Sequence, residues 1–225
     1  MSLGFVLQTA FLHLRGQVAG RCPITNLFEV LVFLSWAVVL LYFVVGGTYR
    51  LSLLGAFTAP LVFILQTVAH FLPSASTPVV FRKSAGMWPE LHGALALMAY
   101  GAFALSCVAG VMYLVQERLL KRHRLNSFFH SLPPIAELSV ALQRVMLAGF
   151  ALLTVALVAG LLAGSPMFYK ATMFVSAFVW APYGVLLLLR WQRPFSPRRF
   201  AWLAVGAFVL ALGTLGALNF LHISR

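Results

Sequence analysis

Residues 91–116, LHGALALMAYGAFALSCVAGVMYLVQ, run for 26 positions without an Asp, Glu, Lys or Arg. A helix rises 1.5 Å per residue, so this stretch reaches about 39 Å, past the ~30 Å hydrocarbon layer of a bilayer. An imidazole, His92, stands at its beginning. Working outward, Asn26–Gly47, Leu51–Leu72, Val140–Gly164, Ala171–Leu189 and Phe200–Leu221 are also apolar and long enough to span. Ser2–Leu14 is too short to span unaided and is expected to form a tilted or partial helix. The composition agrees: 62% hydrophobic residues, 9% charged residues and a mean hydropathy of +0.96 exclude a soluble globular domain and a disordered chain. The expected fold is an all-α, polytopic transmembrane bundle of six to seven helices. With no internal repeat and no low-complexity stretch, 1–225 is expected to be one domain.

The chain carries 16 Lys and Arg against 4 Asp and Glu, a formal net charge of +12. In a membrane protein that excess is read first as topology, and no nucleic-acid partner is expected. Counting Ser2–Leu14 as the first helix, Arg118, Lys121, Arg122, Arg124 and Arg144 gather around the link after the fourth. Arg190, Arg193, Arg198 and Arg199 gather after the sixth. Both links lie on one side, which the positive-inside rule makes cytoplasmic. With Arg50, ten basic residues fall inside; Arg15, Arg21, Arg82, Lys83, Lys170 and Arg225 make six outside. The N-terminus is expected inside and the C-terminus outside, with membrane lipids as the surroundings. No cleavable leader pattern is evident. Cys22 falls in a loop and Cys107 about 22 Å deep in a helix, too far apart for a disulfide within the chain.

This topology sorts the histidines. His123 and His130 fall in the basic inner loop, whereas His13, His70, His92 and His222 come out at the outer ends of four helices. Ionisable groups at such positions commonly face a bundle interior, although an imidazole also suits the headgroup level. Two imidazoles facing one another across a bundle can hold a six-coordinate haem iron, and cations near its propionates would help. Arg82, Lys83 and Lys170 lie on the correct side. A zinc site would need further ligands, and no CxxC, HxxxH or HExxH is present. Glu29 lies three residues after Asn26, as in a capping box, and a second role beside a cation or haem edge stays open. Small residues at Gly101, Ala102, Ala109, Gly110, Gly206, Gly213 and Gly216 are expected to permit close helix approach. No catalytic triad, carboxylate pair or phosphate-cradling glycine loop appears, so no enzyme is expected.

Several stretches resemble the cytochrome c assembly membrane-protein family, the haem-handling proteins of the CcsA, CcmC and HemX-like type. Cys22–Trp36 looks like its opening helix motif and Leu91–Tyr100 its histidine-led helix. Tyr113–Arg122 looks like the inner end of that helix, Leu132–Leu138 and Ala148–Thr154 like the next helix, and Asn219–His222 like its closing histidine. The resemblance implies an outer-face b-type haem with His92 and His222 as axial ligands, used in c-type cytochrome biogenesis. It implies a bacterial plasma membrane setting and a partner in another assembly subunit or an apocytochrome. The family's tryptophan-rich loop, with a Trp-Asp-Pro-Lys core, falls here on Ser165–Thr172, SPMFYKAT, which keeps Lys170 but no tryptophan or acid. That departure moves the reading toward HemX-like members, implying as alternatives a regulator of a tetrapyrrole-synthesis enzyme or a scaffold subunit without haem.

Overall fold

The computed structural model of the chain describes residues 1–49, 54–72, 86–122, 134–163, 167–192 and 196–223. Within them run seven α-helices and no strand: α1 (Ser2–Ala19), α2 (Leu27–Tyr49), α3 (Leu54–His70), α4 (Met87–Lys121), α5 (Ile135–Leu162), α6 (Met167–Gln192) and α7 (Pro197–Ile223). Five of these, α2 and α4 to α7, are long and apolar enough to cross a membrane. The described part of α3 is shorter, at 17 residues, and continues through Pro60. Exposed apolar side chains cover the outside of the bundle, among them Leu3, Phe63, Phe71, Leu161 and Phe174. Water would not tolerate such a surface, whereas lipid makes it the natural one. The chain is a multi-pass membrane protein.

Helix α4 is the axis of the bundle, packing along α5, α7 and α2. The reason is the run of small side chains that the sequence places on it. A Cβ at Gly101 would lie 3.0 Å from the Ala37 Cβ of α2, and one at Gly110 would lie 3.3 Å from the Ala201 carbonyl of α7. Gly149 on α5 performs the reciprocal function, since its Cβ would stand 2.8 Å from the Phe103 ring. Phe103 in turn stacks on Tyr183 of α6 with centroids 3.6 Å apart. The expectation for α7 is corrected at Gly206, Gly213 and Gly216. A Cβ there would meet nothing within 4 Å, so these glycines do not mediate close approach.

Helix α1 extends beyond the expected Leu14 to Ala19, where Gly20 ends it with φ 69°. A polar clamp inside the apolar zone ties it to its neighbours. Gln8 of α1 donates to Ser35 Oγ of α2 at 2.8 Å, and Gln66 of α3 donates to the same oxygen. The Ser35 hydroxyl donates onward to the Val32 carbonyl at 2.8 Å, so every hydrogen-bonding site on that oxygen is used. Trp36 Nε1 donates to Thr9 Oγ1 at 2.8 Å alongside.

Candidate functional site around His92

The start of α4 is built by local chemistry. Gly86 precedes it with φ 109°, a backbone region favouring glycine. Pro89 falls in the first turn, where its missing N–H has no intrahelical acceptor to lose, and Glu90 in the same turn suits the helix dipole. One residue past that turn and its neighbour, His92 is 2% exposed. Its Nδ1 lies 2.7 Å from the Ala156 carbonyl of α5. A carbonyl oxygen only accepts, so Nδ1 carries a proton, and in the neutral imidazole Nε2 then bears the lone pair. Gly160 makes this contact possible: a Cβ there would come within 2.9 Å of His92 Nδ1 and would overlap Met173 Sδ of α6. Gly93 is equally constrained, since its Cβ would overlap the Ile24 side chain in the link between α1 and α2.

The backbone of His222 arrives at the same level. Helices α4 and α7 run antiparallel, and Tyr100 Oη lies 3.1 Å from Thr214 Oγ1 between them. His92 precedes Tyr100 by eight residues and His222 follows Thr214 by eight. Both positions therefore lie about 12 Å from that hydrogen bond toward the same end of the bundle. The side chain of His222, like that of Lys170 near the start of α6, lies outside the described residues. Arg82 and Lys83 lie outside them altogether, as do His123, His130 and Arg225. His13 and His70 are exposed; His13 Nε2 lies 3.0 Å from Gln17 Nε2, and His70 packs edge-on against Phe71.

Glu29 is 2% exposed and answers to several donors. Its backbone N–H donates to Asn26 Oδ1 at 2.9 Å, which makes Asn26 the N-cap of α2. Its own Oε2 accepts from the N–H and hydroxyl of Thr25, each at 2.8 Å, one residue earlier than a standard capping box would reach. Its Oε1 accepts from Arg15 Nε at 2.7 Å. The cation beside Glu29 is thus Arg15, whose guanidinium also lies over the rings of Phe28 and Phe11, at 5.1 and 5.9 Å. The link that follows α1 is fastened to α4 as well, since Cys22 N–H donates to Glu90 Oε2 at 3.4 Å. Burial, then the charges of Glu90 and Glu29, pushes the Cys22 thiol up to about 11. It is consequently neutral and a poor nucleophile at physiological pH. Among the described residues no group of three or more His, Cys, Asp and Glu is arranged around a metal position.

Sequence reasoning did not single out Arg15, Arg21, Ala156 or Gly160. Arg15 had a signal: a carboxylate inside an apolar helix needs a cation close by. Ala156 and Gly160 had none, because a backbone acceptor and a missing Cβ leave no mark on a sequence.

The family description "Cytochrome C assembly protein" matches residues 24–222, nearly the whole chain. The chain belongs to the cytochrome c assembly family. Within that family it is 30% identical over 193 residues to "Protein HemX" of Brevibacillus brevis, covering 84% of this chain and 71% of that protein. To "Protein HemX" of Bacillus subtilis (strain 168) it is 28% identical over 165 residues, covering 72% and 59%. To "Cytochrome c biogenesis protein CcsA" of Chlorella vulgaris it is 32% identical over 114 residues, covering 49% and 36%. The chain therefore spans most of the Brevibacillus relative but only about a third of the Chlorella one.

Proposed function

We propose that this member of the family binds b-type haem between the starts of α4 and α6 and the end of α7, with His92 and His222 as axial ligands. The site would face the outer side of a bacterial plasma membrane and serve c-type cytochrome biogenesis. The observation that carries this reading is the bond from His92 Nδ1–H to the Ala156 carbonyl. A metal-bound histidine commonly donates its second ring nitrogen to a carbonyl or carboxylate, which fixes the ring and the tautomer. Here the fixed tautomer leaves Nε2 as the ligating atom, and the α4–α7 register supplies a second histidine position at the same depth. His92, held in this way, fits such a group.

Bound haem would supply an iron that accepts and gives up protein ligands, and His92 and His222 would be the residues that hold it. What the chain's own residues do is hold and release. Ala156 orients the imidazole, Gly160 and Gly93 keep the neighbouring helices thin around it, and the buried setting excludes water. Lys170, Arg82 and Lys83 would lie on the propionate side. No bond is made or broken by a side chain of this protein, which would act as a holder and presenter for another assembly subunit or an apocytochrome. Regulation of a tetrapyrrole-synthesis enzyme is the second reading. It is favoured by the two HemX relatives and by the SPMFYKAT stretch in place of a tryptophan-rich loop.

One experiment separates them. Purified protein, oxidised and then reduced with dithionite, should show a shifted Soret and a sharp α-band. His92→Ala and His222→Ala should each lose most of that haem while remaining inserted in the membrane. Wild-type haem content in both variants would sink the axial pair. A featureless wild-type spectrum after haem is added back would overturn haem binding and leave the regulatory reading in the lead.

A further inference from the structure

At the end of the bundle where His92 lies, the two arginines after the middle of α1 differ in what they meet. Arg15 is neutralised by Glu29 at 2.7 Å. Arg21 Nε is buried, yet among the described residues it has no hydrogen-bond partner. A buried donor without an acceptor costs free energy, and a guanidinium remains charged at any physiological pH. The chain has only four side-chain carboxylates to offer. Glu117 serves Lys121 and Arg198. Glu137 lies in the first turn of α5, the opposite end of that helix from Gly160. Glu29 bonds Arg15 and Thr25, and Glu90 accepts from the Cys22 N–H.

Arg21 is nevertheless held in place. Gly20 turns the chain back with φ 69°, and a Cβ at Gly16 would sit 3.5 Å from the Arg21 carbonyl and from Pro23. The next residue, Cys22, is bonded to Glu90, two positions before His92. A cation on a fixed stretch of backbone, with its buried Nε lacking an acceptor and its neighbour bonded to the helix that carries the proposed haem ligand, is suited to recognise a carboxylate.

We infer that Arg21 anchors a carboxylate of the tetrapyrrole whose iron His92 ligates, an assignment that rests on the haem reading above. The site then contains both halves of haem recognition, an imidazole for the metal and a guanidinium for a propionate. Tetrapyrrole acid is preferred over its ester because only the acid brings a charged, two-oxygen acceptor to the Arg21 guanidinium, whereas an ester carbonyl is a neutral and weaker one.

The test compares haem b with its dimethyl ester, and metal-free protoporphyrin IX with its dimethyl ester, by Soret and fluorescence titration of the full chain in detergent. Wild type is expected to bind each free acid about tenfold or more tightly than its ester, the effect of one charge-assisted hydrogen bond. Arg21→Gln should lower that ratio several-fold, leaving the part owed to the other cations on the propionate side, and Arg21→Lys should restore part of the loss, with the empty protein unfolding at no lower temperature than wild type. A wild-type chain that binds haem but does not distinguish acid from ester overturns the inference without recourse to any variant. So does an undiminished ratio in R21Q, which would leave Arg21 to a lipid headgroup phosphate. Failure of wild type to bind haem at all is a different result, and it overturns the haem reading together with this inference.

Discussion

Glu29 and Arg15 illustrate how much an intramembrane charge depends on its neighbour. Their side chains are 3% and 11% exposed, so each charge has given up most of its water. Removing one partner leaves the other buried and uncompensated, a loss of about 3–5 kcal/mol for a buried pair. Arg15→Met alone and Glu29→Leu alone should each lower the thermal midpoint in detergent strongly. The double variant should recover most of the loss, because replacing both charges removes the desolvation penalty together with the attraction. Additive losses in the double variant would mean that the pair does not act as a unit. From the sequence, Glu29 was legible as a capping residue through its spacing from Asn26. Its need for a cation was legible as well, but not that the cation is Arg15, fourteen residues upstream on another helix. His92 was legible as a candidate because an imidazole at the head of an apolar helix is conspicuous. What orients it, the Ala156 carbonyl, is invisible to any reading of residue types.

The helices themselves follow from the spacing of apolar runs, and their ends moved for identifiable reasons. Helix α7 begins at Pro197 and not at Phe200, with Ser196 Oγ accepting from the Arg199 N–H at 3.4 Å. A proline is tolerated at a first helical position, where its missing N–H has no partner to lose. Helix α4 likewise extends at both ends, because Met87–Glu90 and Glu117–Lys121 are helix-compatible although too polar to count as span. Hydropathy locates the membrane-embedded part of a helix, which is shorter than the helix. Small residues were legible as packing positions but not by face. Gly149 and Gly206 look alike in the sequence, yet one lies against Phe103 and the other meets nothing. Gly149→Ala should therefore destabilise by about 1–3 kcal/mol through overpacking. Gly206→Ala should be neutral or stabilising by up to about 1 kcal/mol through helix propensity. Thermal unfolding in detergent distinguishes these outcomes, and equal effects at the two sites would contradict the packing around α4.

Most of the cations whose side chains are described lie at one end of the bundle. Glu117 near the end of α4 meets Arg198 at the start of α7 at 3.5 Å. Arg190 near the end of α6 donates to Gln143 of α5 at 3.4 Å and lies over the Phe200 ring of α7 at 5.5 Å. Four helix ends and the exposed side chains of Arg118, Lys121, Arg122, Arg144, Arg198 and Arg199 thus form one basic face. The His92 end is opposite, about 37 Å away along α4 if measured from His92 to Glu117. Positive charge resists translocation, so the basic face should be cytoplasmic and the His92 end should face outward. Fusions read this directly. A fluorescent protein joined after Arg122 or Gln192 should be bright, since both points lie on the basic face. Alkaline phosphatase, which needs an oxidising compartment for its disulfides, should be active when joined after Ala163, between α5 and α6. The reverse pattern would turn the His92 end to the cytoplasm, where an apocytochrome outside the membrane could not reach it. Orientation therefore decides which acceptor the site could serve, even if the spectrum shows haem. Replacing Arg118, Lys121 and Arg122 by Gln should weaken the bias without moving His92 relative to Ala156. Haem content per inserted molecule should then hold while the fraction inserted in the native sense falls.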